Sequence, residues 1–337
     1  MATLNEVARL AGVTTATVSN VLRNSNKVRP ETIRKVEEAI RITGYQPNLM
    51  ARALAEGKSS MVALVLPDIS NPFYPEFVRV AERVARQRNF FLMVCNTDAR
   101  PEVGCAYLRQ IAGTLADGVL VLHTGLQTED IQALKGRRSP VVLASEEKAN
   151  LQDHFPHVLV DLARAGQLAA EHLLGLGHRR IGVIVGCGLE GEQHTRLDGF
   201  TSVLQQHGIT LPPEAVLHVL DNVESGRNAT HELLQRHGDL TALFATNDLL
   251  AMGVYQALFE RGLRVPHDIS VMGLTDIQLA RELRPALSTV SLHVEELATL
   301  SVNLLLDLVG NPQHQPTILQ VSPPTLVVRD STASVAV

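Results

Sequence analysis

The sequence predicts an α/β protein: a head of three short helices, a linker helix, and a body built from two doubly wound parallel sheets. Three observations carry this. From residue 60 onward, continuous apolar runs alternate with amphipathic segments at helical spacing, the pattern of repeated βαβ units. The first 45 residues instead hold three helical patterns. Charge divides at the same place. Residues 1–59 carry nine Lys/Arg and five Asp/Glu, a balance of +4; the remainder carries 21 and 30, a balance of −9, for −5 overall. A mildly basic module on an acidic body suits phosphate binding through counterion release.

In the head, Thr3 can cap a first helix, and Glu6 three residues on can reach back to complete a capping box. Leu4, Val7, Ala8 and Ala11 recur on one face. Gly12 supplies the positive φ of a tight exit. Thr14 can cap a second helix whose Val18, Val21 and Leu22 point inward, leaving Thr15, Ala16, Ser19 and Asn20 outside. Small and polar residues there suit a helix that enters a major groove; an ordinary helical hairpin is the plainer alternative. Arg29-Pro30 opens a third helix with Pro30 in its first turn. Ile33, Val36 and Ile40 form its inward stripe and Gly44 ends it. Asn48 then caps a short linker segment, residues 48–58, too short to hold as an isolated helix in water.

The body's apolar runs are residues 61–67, 90–96, 118–123, 140–145, 157–161, 181–186, 216–220, 242–246 and 269–274. Unalternating runs of this kind indicate parallel strands covered on both faces. Helical patterns lie between them, as at 76–87, 165–176 and 249–262. Nine strands exceed one ordinary sheet, so two similar subdomains are expected, with the break near Asp161.

The pattern L-x-E-V-A-x-x-A-G-V-T-x-x-T-V-S-x-V-L over residues 4–22, with G-Y-x-P-N at 44–48 and A-R-x-L at 51–54, resembles the lactose repressor/galactose repressor (LacI/GalR) family of bacterial transcription regulators. DGVLVL (117–122), HLLGLGHRRIGVI (172–184), RLDGF (196–200), ATNDLLAMG (245–253), GLRVPHDISVMG (262–273), PALSTV (285–290) and PPTLVVRDST (323–332) extend the resemblance to the C-terminus. It implies a helix-turn-helix domain at 1–47, a hinge at 48–59, and a periplasmic-binding-protein-like effector and dimerisation domain at 60–337. The N-subdomain is then about 60–160 and 290–320, the C-subdomain about 161–289 and 321–330. Three crossings are implied, the final strand completing the second subdomain. The resemblance places Thr15, Ala16 and Asn20 at base-reading positions and Leu54 as a minor-groove wedge, with Thr3, Thr14, Thr17, Ser19, Asn48 and Arg52 in the same DNA-binding set. Arg29 departs from the family's small capping residue, which weakens that cap and sets a cation beside the phosphates.

The implied ligand positions are Phe73, Tyr74, Asp161, Glu192, Arg196, Val223, Asn247 and Thr275. Arg196 is the leading candidate, because its fork of donors grips carboxylate, phosphate or vicinal hydroxyls; a structural ion pair is its alternative. Phe73 and Tyr74 equally fit a core position behind a turn. Thr275 stands where the family commonly has an aspartate, and Val223 where an aromatic often stacks, so an ordinary pyranose is disfavoured and Glu192 is a substitute acceptor. A sugar, a sugar acid, another small metabolite and a degenerate pocket all stay open.

Competing chemistries have weak signals. Gly186-Cys187-Gly188-Leu189-Glu190-Gly191 is a literal G-x-G-x-x-G after a strand, but the next strand's acid, Asp221, lies about 30 residues beyond Gly191 rather than about 20. Glu190 and Glu192 would also oppose a pyrophosphate. Cys95, Cys105 and Cys187 are scattered, which suits a reducing cytoplasm and no disulfide framework. His172 and His178 read as surface and turn residues, and no metal or cofactor is expected. No apolar leader heads the chain and no run of 18 apolar residues occurs, so neither export nor membrane spanning is expected. No nucleophile–base or paired-carboxylate context suggests an enzyme. The expectation is a cytoplasmic homodimeric repressor of near-palindromic operator DNA, induced by a small effector. The apolar faces of residues 76–87 or 297–308 are the candidate dimer contacts. A binding protein of the periplasmic type is the runner-up.

Overall fold

A computed structural model describes residues 2–23, 28–46, 58–111, 115–122, 128–132, 139–145, 155–186, 192–311 and 317–335. The chain divides into two compact units, Met1–Ser59 and Ser60–Val337.

The first unit contains α1 (Leu4–Ala11), α2 (Thr15–Arg23) and α3 (Pro30–Thr43). Its capping box forms: the Glu6 amide donates to Thr3 Oγ1 (3.3 Å) and the Thr3 amide donates to Glu6 Oε2 (2.8 Å). Gly12 and Gly44 close α1 and α3 at φ of 66° and 64°, where a side chain would strain the backbone. Val7, Ala8, Ala11, Val18, Val36 and Ala39 make the miniature core, with Leu4, Val21, Leu22 and Ile40 against it. Of the expected stripe Val36 is buried, Ile33 and Ile40 are half-buried, and Ala39 is buried as well.

The second unit begins with β1 (Met61–Leu66), α4 (Phe73–Gln87), β2 (Phe91–Asn96), α5 (Pro101–Ile111), β3 (Gly118–Leu122), α6 (Thr128–Gln132), β4 (Val141–Ala144) and β5 (His157–Leu159). It continues with α7 (Leu162–Gly175), β6 (Ile181–Gly186), α8 (Glu192–Gln206), β7 (Val216–Val219), α9 (Val223–Arg236), β8 (Ala242–Ala245), α10 (Asp248–Glu260) and β9 (Ser270–Met272). Last come α11 (Gln278–Glu282), β10 (Thr289–Ser291), α12 (Val294–Gly310), β11 (Ile318–Gln320) and β12 (Thr325–Val327). Each of the nine apolar runs forms a strand.

These strands make two all-parallel sheets, in the orders β11-β5-β4-β3-β1-β2 and β7-β6-β8-β9. Each sheet centres a lobe, here the first and the second. The inner strands β3, β4, β6 and β8 are buried throughout, which is why they read as unbroken apolar runs. The chain passes between lobes after β5, after β10 and after β11. The last strand, β12, does not extend the second sheet but pairs antiparallel with β10 in a separate ribbon. Only beyond it does the chain reach the second sheet, where the Val271 amide donates to Ser331 O (2.8 Å).

Close helix approaches set the second lobe. A Cβ on Gly166 would lie 1.9 Å from the carbonyl oxygen of Arg196, and one on Gly199 2.0 Å from that of Ala163, so α7 and α8 touch backbone to backbone. Gly226 and Gly253 do the same for α9 and α10. His178 is not a surface residue. It is 2% exposed and its two ring nitrogens bond Thr241 Oγ1 and Ala333 O, both at 3.0 Å. His172 bonds Thr332 Oγ1 (2.8 Å). Both rings hold the returning C-terminal segment, and burial lowers both pKa values, favouring the neutral imidazole.

Candidate nucleic-acid interface and interlobe cleft

The start of α2 is organised by Thr14, whose Oγ1 accepts from the Thr17 amide (3.1 Å) and lies 2.9 Å from Thr17 Oγ1. Both hydroxyls therefore serve the helix start. Val18 is fully buried and turns the opposite face outward. Ala16 and Asn20 are exposed there, with Thr15 and Ser19 half-buried beside them. The result is a smooth, small-residue surface with one amide side chain, which can follow a major groove without steric conflict. Arg29 precedes α3 and gives no side-chain cap; its carbonyl accepts the Thr32 and Ile33 amides instead (3.0 and 3.1 Å). Its guanidinium is thus not committed to capping. Asn48, Arg52 and Leu54 lie outside the described residues.

At the carboxyl ends of the second sheet's strands several polar groups converge. Arg196, on α8, is 3% exposed and its guanidinium donates to Thr246 O (2.8 Å). Thr246 Oγ1 accepts from the Gly186 amide (3.0 Å). Asn247 caps α10, accepting from the Leu250 amide (2.9 Å) and donating through Nδ2 to Asp221 Oδ1 (2.8 Å). Asp221 follows β7 and lies against Gly186, where a Cβ would fall 1.7 Å from Asp221 Oδ1. Burial raises the Asp221 pKa; Asn247 and Arg196 oppose that rise and Asp68 adds to it. Asp68 follows β1 of the first lobe, so the charge that adds to the rise at Asp221 comes from the other lobe. Strand ends carrying such groups are where open α/β sheets bind ligands.

Sequence reasoning met Asp221 only as an acid at the wrong spacing for dinucleotide binding. Its position just past the end of a parallel strand was the usable signal. Asp161 is exposed and caps α7 by accepting from the Arg164 amide (2.8 Å). Val223 is half-buried at the first turn of α9. Phe73 is buried in the core and meets Tyr74 edge-on at 5.3 Å between ring centres; Tyr74 is half-buried against the same core. The packing alternative raised for this pair is what Phe73 adopts. The Glu192 side chain and residues 187–191 lie outside the described part.

Thr275 is buried and turns inward. Its hydroxyl donates to Asp248 Oδ2 (3.2 Å), which also accepts the Ile277 amide (3.0 Å), while Thr289 Oγ1 donates to Asp248 Oδ1 (2.6 Å). Asp248 is fully buried, and desolvation pushes its pKa up to about 6. Among the described residues no group of three His, Cys, Asp or Glu could hold a metal ion. No described helix is long and apolar enough to cross a membrane.

A three-helix DNA-reading head joined to two doubly wound lobes defines a helix-turn-helix regulator with a periplasmic-binding-protein-like body. Residues 3–48 match the bacterial regulatory proteins of the lacI family, and residues 170–332 match the periplasmic binding protein-like domain. The chain is 32% identical over 335 residues to the HTH-type transcriptional regulator DegA of Bacillus subtilis (strain 168), covering 98% of each protein. Similar solved structures include the lac repressor dimer bound to operator and the anti-inducer ONPF, at 26% identity and a TM-score of 0.85, covering 98% of this chain and 99% of that one. The transcriptional regulator CelR–cellobiose complex matches at 29% identity and a TM-score of 0.71, covering 98% and 100%. The chain belongs to the LacI family of bacterial transcription regulators. It is a DNA-binding regulator and not an enzyme.

Proposed function

We propose that this chain acts in the cytoplasm as a homodimeric repressor of a near-palindromic operator. A small effector, a sugar or sugar-derived metabolite, enters the cleft between the lobes and releases the DNA. The observation that carries the reading is the convergence of Arg196, Asn247 and Asp221 at strand ends of one lobe with Asp68 facing them from the other. A polyhydroxylated ligand offers both donors and acceptors to such a set. The cellobiose-bound relative and the operator-bound dimer support the two halves of the reading. Asp221 takes over the acceptor role for which Glu192 was the candidate, since Thr275 is engaged by Asp248. Within this reading Asp161 and Tyr74 line the cleft mouth, and Val223 supplies an apolar edge beside Asp221.

The test is release of the bound promoter duplex by a panel of neutral monosaccharides, disaccharides, amino sugars and sugar acids. At least one compound should release DNA from the native protein and fail with Arg196→Ala, whose DNA affinity without effector stays unchanged. Release from the variant at the same concentration would make Arg196 purely structural.

A further inference from the structure

The start of α11 lacks the cap that its own chain should supply. Ile277 occupies the N-cap position and offers no side-chain hydrogen bond. Two carboxylates from elsewhere hold this turn. Asp248 of the second lobe accepts the Ile277 amide, as described above. Glu76, on α4 of the first lobe, accepts the next amide, that of Gln278, through Oε1 at 2.6 Å. The backbone between the two is unusual: Thr275 and Asp276 adopt positive φ values of 127° and 57°. Such geometry persists only where the surroundings over-determine it. Arg79 of the first lobe and Arg281 of the second flank the Glu76 carboxylate and Asp276 opposes it. Glu76, Arg79, Asp276, Gln278 and Arg281 line a polar groove of about 440 Å³ that spans the two lobes beside the crossing at residues 291–296.

We propose that Glu76 is an interlobe latch, a positioning residue that caps α11 across the lobe boundary and sets the resting lobe separation that an effector must change. Any rotation of one lobe against the other draws the Glu76 carboxylate off the Gln278 amide, because the two are carried by different sheets. The carboxylate-to-amide bond is charge-assisted, so its loss costs more than that of a neutral one. Asp248 moves with the second lobe and keeps the turn formed after Glu76 leaves. The contact therefore reports and biases lobe position without being needed for the fold of either lobe. The inference rests on the cleft reading above, but its test needs no effector and so fails or succeeds on its own.

The experiment is native-state hydrogen exchange on full-length protein, comparing the native chain with Glu76→Ala and Glu76→Gln. In Glu76→Ala the Gln278 amide should exchange about tenfold faster. The crossing segments around 160–162, 291–293 and 320–322 should also exchange faster. Glu76→Gln retains an acceptor oxygen and should fall between the two. Unchanged exchange at Gln278 in Glu76→Ala would show that the bond does not form in solution and overturn the proposal. Faster exchange at Gln278 alone, with the crossings unchanged, would overturn it equally, since Glu76 would then be a local cap only.

Discussion

Asp248 carries a pH dependence that no ligand is needed to reveal. Desolvation holds its pKa near 6, whereas an unfolded Asp titrates near 3.9. Between these values the native state keeps a proton that the unfolded chain has released, so stability falls as pH rises from about 4 to 6 and then levels. Two units correspond to about 3 kcal/mol. Asp248→Asn cannot ionise, and the thermal midpoint of the native protein should fall relative to this variant across that window; parallel curves would refute the assignment. Residue roles set by neighbours in sequence were legible beforehand: Thr3 with Glu6 and Thr14 with Thr17 are three apart. Those set by distant partners were not. Nothing local shows that Thr275 faces Asp248, that Gly186 yields to Asp221, or that His178 is buried under a segment more than 150 residues later.

At the scale of elements, α8 is placed by its contact with α7 through Gly166 and Gly199. Gly166→Ala would drive its methyl into the Arg196 carbonyl and push the helices apart. The expected cost is about 1–3 kcal/mol or more, and effector release should weaken even though Arg196 is retained; a midpoint equal to the native one would show that the helices yield freely. Strand positions were readable because both faces of β3, β4, β6 and β8 are covered, which forces continuous apolar runs. The β10–β12 ribbon was not, since three-residue strands in PALSTV and PPTLVV have no periodicity to detect. In the linker, Leu54 remains our proposed minor-groove wedge. Leu54→Ala should leave the body's thermal midpoint unchanged and weaken operator binding by about 1 to 3 kcal/mol. Equal affinity at fixed salt would remove Leu54 from the interface.

At the scale of the whole molecule, one recognition helix reads few base pairs, so specificity calls for two heads related by a two-fold axis. The helix faces expected to join the subunits are used inside the first lobe. Phe77, Val80, Ala81 and Val84 of α4, and Leu297, Val302, Leu305 and Leu308 of α12, are buried in the core of the same chain. The amphipathic pattern was real, but sequence does not distinguish a face that meets its own sheet from one that meets a partner. Edge strand β2 instead leaves Phe91 60% and Val94 39% exposed, and an uncovered apolar edge invites a second chain. Sedimentation of a fragment from Ser60 should show dimers, and Phe91→Arg should shift them toward monomer; a native monomer at micromolar concentration would count against dimerisation through the body. The central claim is sequence-specific DNA recognition by the head. Its most direct measurement compares, at one salt concentration, the affinity of the full-length protein for the DNA flanking its own gene and for a scrambled duplex of equal length. The account predicts a preference of about a thousandfold or more, reduced at particular half-site base pairs when Thr15 or Ala16 is changed; equal affinity for both duplexes would contradict it.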